Sequence, residues 1–236
     1  MVSTTPPPCN HSHSYPDRAE VLETERLFPR NTDPAEGVPV PGGVTVPPGS
    51  VIMPDAAPTG TSLTLSSFKG SKYVVLFFYP FDFTFVCPTE ILAFSNHIEE
   101  FKKRGVEVLG CSIDSDHVHR AWRNTKVAEG GIGNITYPLL ADVNKDIARS
   151  YGVLLEGGMA LRGTFLIDRN GVVRQETVND LPLGRSVEET LRLVDALQHT
   201  EEHGEVCPAG WHKGSTAMKA DPKGVASYLA ENATKL

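Results

Sequence analysis

Cysteine is scarce in this sequence. Among 236 residues there are four, Cys9, Cys87, Cys111 and Cys207. No two form a Cys-x-x-Cys pair, which argues against disulfide-exchange chemistry with both thiols in one turn. Nor do they join histidines at zinc-finger spacing. Few, scattered thiols suit a reducing compartment with catalytic cysteines better than a disulfide scaffold. Long apolar runs are missing too. The longest, near Val74–Tyr79, falls far short of the roughly 20 residues that cross a bilayer, so no membrane partner is expected. Positive charge is in deficit: the net charge is −7, against a nucleic-acid partner, whose phosphates call for a basic face. The start of the chain has no basic segment followed by an apolar one, as a secretory signal has. Asp17, Glu20, Glu23 and Glu25 interrupt it with acid, unlike a transit peptide. A cytoplasmic location is the default expectation.

What is present is enough for one ordinary domain with extensions. Forty per cent of residues are hydrophobic, which supplies a sizeable core. Residues 1–60 are rich in Pro, Gly, Ser and Thr, and Pro39 to Pro48 sets prolines and glycines among valines. Such a composition buries little apolar surface and reads as a poorly ordered extension. Cys9, His11 and His13 lie in it; without a fourth ligand they read as a solvated tail rather than a metal site.

One stretch organises the rest, Val74 to Glu90. It begins as a continuous apolar run of the kind that forms a buried strand. Pro80 ends the strand because it donates no ladder hydrogen bond. An aromatic-rich loop then delivers Cys87. Pro88 suits the first turn of a helix, which the pattern carries through Lys103. Cys87 therefore stands at or beside a helix N-terminus, beyond the end of a buried strand. The thiolate is the nucleophilic form of cysteine, and helix N-termini with nearby cations favour it. Cysteine is more commonly a small buried hydrophobe, but Thr84 before it and Pro88-Thr89 after it make no sense as core packing. The Thr84 hydroxyl can both donate and accept, and so can hold the sulfur or a substrate oxygen.

The string Phe78-Tyr79-Pro80-Phe81-Asp82-Phe83-Thr84-Phe85-Val86-Cys87-Pro88-Thr89-Glu90 resembles the peroxidatic motif of the typical two-cysteine peroxiredoxins. A second string, His203-Gly204-Glu205-Val206-Cys207-Pro208-Ala209-Gly210-Trp211, resembles that family's resolving-cysteine motif. The resemblance runs over about residues 63 to 236. It implies a thioredoxin-like α/β fold: a central mixed sheet flanked by helices at 61–199, followed by a C-terminal arm at 200–236. The two cysteines lie 207 − 87 = 120 positions apart, a spacing open to pairing within a chain or between chains. The family implies pairing between the two subunits of a dimer, often assembled into a decameric ring.

The remaining chain reads in order. Val106–Ser112 is a second buried strand, with Cys111 a core residue within it. Ser115 or Asp116 caps a helix through about Ala128. Gly130-Gly131-Ile132-Gly133 is a flexible loop. It follows a helix, whereas a dinucleotide fingerprint follows a strand, so nucleotide binding is disfavoured. Asp142–Tyr151 is a short helix closed by Gly152. Ala160–Asp168 is a strand that turns at Asp168-Arg169-Asn170-Gly171 into an antiparallel partner, Val172–Val178. Ser186 caps a helix through Gln198, and Asp221-Pro222 opens a last helix ending at Asn232. Arg162 lies beside a buried strand, where an unpaired charge is costly. By resemblance it matches the arginine that contacts the reactive sulfur and the peroxide. Arg185 matches a second arginine behind the pocket, and Glu90 orients Arg162.

The resemblance thus implies a peroxidase for hydrogen peroxide and organic hydroperoxides. It needs no metal or organic cofactor and is recycled by thioredoxin. Alternatives are recycling by a dedicated flavoprotein, or a holdase chaperone. Gly130-Gly131-Ile132-Gly133 resembles the loop of members sensitive to over-oxidation, while Tyr228-Leu229 stands where those members carry Tyr-Phe.

Overall fold

The computed structural model describes residues 38–39, 51–52 and 63–236. Cys9, His11, His13 and most of the Pro/Gly-rich stretch lie outside the described residues.

The centre of the fold is β3 (Tyr73–Phe78), buried along its whole length. It runs parallel to β4 (Val106–Ser112) and antiparallel to β6 (Arg162–Ile167). The next strand beyond β4 is β5 (Leu139–Ala141), parallel to it. Beyond β6 lies β7 (Val172–Asn179), antiparallel to it. Two short strands from the early segment edge the sheet. β1 (Val38–Pro39) pairs with β7 and β2 (Val51–Ile52) with β5, both antiparallel. The order is β1-β7-β6-β3-β4-β5-β2. Parallel pairs need crossover helices, and those helices cover both faces of the sheet.

Alternation along β3 divides the core in two, because successive strand side chains point to opposite faces. Val75, Phe77 and Tyr79 pack with residues of α1 (Cys87–Asn96), α2 (Ile98–Lys103), Trp122 and Val187. Val74, Leu76 and Phe78 pack on the other side with Cys111, Ile147, Tyr151 and Phe165. The continuous apolar run is thus the signature of a strand with no solvent face.

Several elements end where local chemistry, not hydrophobic pattern, stops them. The single helix expected through Lys103 is broken at His97, whose backbone leaves the helical region (φ −102°, ψ 8°). Its ring shares the Ala93 carbonyl at 2.8 Å, and α2 restarts with Ile98 and Phe101 buried. α3 (Asp116–Asn124) is capped by Ser115, as read from the sequence, but stops four residues short of Ala128. Thr125 turns its hydroxyl back to the Ala121 carbonyl at 2.9 Å and takes an extended backbone. The glycine loop after it is demanded by close approach: a Cβ on Gly131 would lie 1.9 Å from the Thr125 carbonyl oxygen.

α4 (Asp146–Ser150) is shorter than expected. Asp142 lies ahead of it and accepts from the backbone N–H groups of Ile147 and Ala148 at 3.1 and 2.7 Å. α5 (Val187–His203) is capped by Ser186 and runs past Gln198 to a left-handed Gly204. α6 (Pro222–Asn232) is capped by Asp221 and has the expected bounds. No described helix is long and apolar enough to cross a membrane.

Asp142 is the cap whose loss should be felt most, because it is buried and its removal leaves two amides without partners. Asp142→Ala is expected to cost about 2 kcal/mol, read as a lower urea midpoint with an unchanged slope.

Candidate active site

Cys87 is the first residue of α1, with Pro88 following it inside the first turn. The helix has no side-chain cap: Val86 precedes it in a helical backbone conformation. The first turn is tied locally to one acceptor, the Val86 carbonyl, which receives the Thr89 hydroxyl at 2.6 Å and the amides of Thr89 and Glu90 at 3.0 and 3.3 Å. Cys87 itself is fully buried.

Charge around the sulfur is arranged in two layers. Nη1 of Arg162, from the first position of β6, lies 3.4 Å from Cys87 Sγ and 2.7 Å from Glu90 Oε2. Its Nε donates to the Leu181 carbonyl at 2.7 Å, which fixes the plane of the guanidinium. Behind it, Arg185 donates to both Glu90 oxygens, through Nε at 2.8 Å and Nη2 at 2.9 Å. The Arg185 backbone N–H reaches Glu90 Oε1 at 3.0 Å. Its Nη1 reaches the carbonyls of Phe78 and Gly163 at 2.7 and 2.9 Å, and the guanidinium lies over the Phe77 ring. The side chains of Arg162, Glu90 and Arg185 are all at most 4% exposed. Two buried cations thus share one carboxylate. The cluster is short of one negative charge, and the atom that faces the shortfall is the Cys87 sulfur.

Most of the site residues named from the sequence come together here. Arg162, Glu90 and Arg185 do so through direct bonds, and Pro80 is buried at the end of β3. The Thr84 hydroxyl donates to the Phe81 carbonyl at 2.8 Å. Its proton is therefore engaged away from the sulfur, while its oxygen keeps lone pairs to accept with. Cys207 is on a different structure. Its thiol faces the Ala196 carbonyl at 3.6 Å and the Thr200 hydroxyl at 3.8 Å, both on α5. Cys87, Cys111 and Cys207 are all free thiols.

Two features of the site escaped the sequence. One is the Leu181 carbonyl, a backbone group that leaves no mark in side-chain chemistry. The other is a fully buried set beneath the Cys87 loop. Asp82 accepts from the Tyr79 hydroxyl at 2.9 Å and lies 2.7 Å from His119 Nδ1, while His119 Nε2 faces the Leu140 carbonyl at 3.2 Å. Burial pushes the Asp82 carboxyl up, and the His119 contact opposes this. The Asp82 amide donates to Asp114 at 2.9 Å. These bonds hold the loop between β3 and α1. A signal was available: His119 and Trp122 stand three apart in α3, on the face that turns inward.

A buried cysteine thus opens a helix against a buried arginine, on a mixed sheet flanked by helices. Residues 49–176 match the AhpC/TSA family and residues 196–231 match the C-terminal domain of 1-Cys peroxiredoxin. Alkyl hydroperoxide reductase C of Helicobacter pylori is 58% identical over 172 residues, covering 73% of this chain and 87% of that protein. Peroxiredoxin-2 of Rattus norvegicus is 58% identical over 171 residues, 72% of this chain and 86% of its own length. Among solved structures, the reduced 2-Cys peroxiredoxin of Plasmodium vivax superposes with a TM-score of 0.79 at 46% identity, covering 83% of this chain and 98% of the other. The chain belongs to the AhpC/TSA family of peroxiredoxins. The family match begins at residue 49, inside the segment that composition alone sets apart as an extension.

Removing the charge on Glu90 leaves two buried guanidiniums without their shared anion. Glu90→Gln is expected to destabilise the protein by about 3–5 kcal/mol, measured by chemical denaturation, with the loss shrinking when Arg185 is also replaced by Met.

Proposed function

We propose that Cys87 is the peroxidatic cysteine and Cys207, from a second subunit of a homodimer, the resolving cysteine, in a cycle renewed by thioredoxin. The observation that carries the reading is the contact of the Arg162 guanidinium with Cys87 Sγ at 3.4 Å inside a cluster one negative charge short of balance.

The cycle follows from the groups present. The Cys87 thiolate attacks the terminal oxygen of a hydroperoxide, the O–O bond breaks, and the sulfur is oxidised to a sulfenic acid. The departing oxygen takes a proton and leaves as alcohol, or as water when the substrate is hydrogen peroxide. Arg162 stabilises the thiolate first and then the charge that develops on the leaving oxygen. Thr84, with its proton held by the Phe81 carbonyl, accepts from the O–H of the incoming hydroperoxide and so fixes which oxygen meets the sulfur. Glu90 and Arg185 act through Arg162, as positioning residues. Pro80 and Pro88 wall the pocket and limit water. The Cys207 thiol then condenses with the sulfenic acid, water leaves, and a disulfide forms. A dithiol protein reduces that disulfide by exchange.

Disulfide formation requires movement. Sulfurs bond at about 2.05 Å, and Cys87 is fully buried in the first turn of α1. That turn is held by one carbonyl and no side-chain cap, which is what a turn that unwinds in each cycle needs. The loop at Cys87 and the segment after Cys207 are mobile together in this reading, and hydrogen exchange in both changes between the reduced and disulfide states.

The test is peroxide consumption with thioredoxin, thioredoxin reductase and NADPH. Wild type turns over, Cys87→Ser is inactive, and Cys207→Ser is oxidised once without turnover. A dimer-sized band on non-reducing gels requires both cysteines. Arg162→Ala lowers the second-order rate with peroxide by roughly 10²–10³-fold. If Cys87 is oxidised yet thioredoxin supports no turnover, the flavoprotein reductant replaces it. If Cys87→Ser still consumes peroxide, the assignment of Cys87 fails.

A further inference from the structure

α1 has two duties that conflict. Its first turn carries Cys87 and has to open, whereas its body is core. Ile91 and Phe94 are fully buried, and Phe94 stacks on Phe77 with ring centroids 4.4 Å apart. At the junction stands a side chain from another element. The hydroxyl of Tyr137, two residues before β5, donates to the Ile91 carbonyl at 2.9 Å. The Tyr137 ring lies edge-on to Phe77 at 5.9 Å and is 1% exposed.

This hydrogen bond caps nothing. Ile91 is interior to α1, so its carbonyl already accepts from the amide four residues on. A phenylalanine at 137 would fill the same space without a hydroxyl to desolvate, and burying a hydroxyl has a cost of its own. Burial also pushes the Tyr137 phenol well above its usual range, so it remains a donor at every working pH. On the other side of the junction the restraints differ in kind. Cys87 and Thr89 hold to Arg162 and to the Val86 carbonyl, and both contacts vanish when the first turn unwinds.

We propose that Tyr137 is a positioning residue that clamps α1 at Ile91 and, together with Glu90 held by Arg162 and Arg185, sets where its unwinding stops. With the clamp in place, Cys87 to Thr89 leave the helix while Ile91 onward stays seated on Phe77. The opening is then one turn long, and Cys87 returns to Arg162 when it closes. Without the clamp the stop rests on Glu90 alone, and the opening runs into the next turn more often. The disulfide part of this inference rests on the two-cysteine cycle above; the clamp itself does not.

Tyr137→Phe separates the two, since it keeps the ring and removes one hydroxyl. In reduced protein, native-state hydrogen exchange of the amides from 91 to 95 is expected to rise about fivefold, the equivalent of one net hydrogen bond. The first-order step that forms the Cys87–Cys207 disulfide, followed by stopped flow, accelerates by a similar factor. The second-order rate of Cys87 with hydrogen peroxide stays unchanged, because the folded pocket is intact. Unchanged exchange from 91 to 95 overturns the clamp. So does a peroxide rate that falls as exchange rises, since the hydroxyl would then serve the pocket as a whole. If wild type forms no Cys87–Cys207 disulfide, the two-cysteine cycle falls alone, and exchange in Tyr137→Phe still decides the clamp.

Discussion

Two guanidiniums and one carboxylate, buried together, are the constraint from which the site follows. An isolated charge in a protein interior is expensive, and even a paired one is stable only when its remaining protons find acceptors. Arg185 finds Glu90, the carbonyls of Phe78 and Gly163, and the Phe77 ring around it. Arg162 finds the Leu181 carbonyl and Glu90, and turns also to the Cys87 sulfur. The positive side of the cluster therefore faces that sulfur directly.

Holding this cluster requires several elements at once. Arg162 opens β6, Glu90 lies in α1, and Arg185 sits just before α5. The sheet order brings β6 next to β3, so the end of β3, the start of α1 and the start of β6 converge at one edge. The buried Asp82–His119–Tyr79 set then holds the loop between β3 and α1 from below. The site is firmly bonded at its cations and lightly held at Cys87.

Much of this was legible in the sequence, for reasons that differ by element. β3 was readable because a strand buried on both faces has nothing polar to confuse its pattern. The β6–β7 hairpin was readable because Asp168-Arg169-Asn170-Gly171 is turn chemistry with few alternatives; Asp168 accepts the amides of Asn170 and Val172. Caps at Ser115, Ser186 and Asp221 announced three helix starts. Helix ends were harder. The break at His97 and the stop at Thr125 depend on single side chains bending back to a carbonyl, and nothing in composition distinguishes them from helical neighbours. Arg162 could be marked in advance because a buried charge must find a partner, and Glu90 was set beside it through the family resemblance. The Leu181 carbonyl could not, because every residue carries one.

Cys111 shows how position alone separates two buried thiols. It lies in β4, paired in register with Phe78 on one side and Leu140 on the other. Burial pushes its thiol well above the usual range, and the nearby Asp142 carboxylate adds to the effect. With β3 and β5 paired on either side of it, the Cys111 sulfur meets solvent when those strands separate. A thiol-labelling reagent at Cys111 therefore reads separation of the sheet, whereas one at Cys87 reads opening at the start of α1.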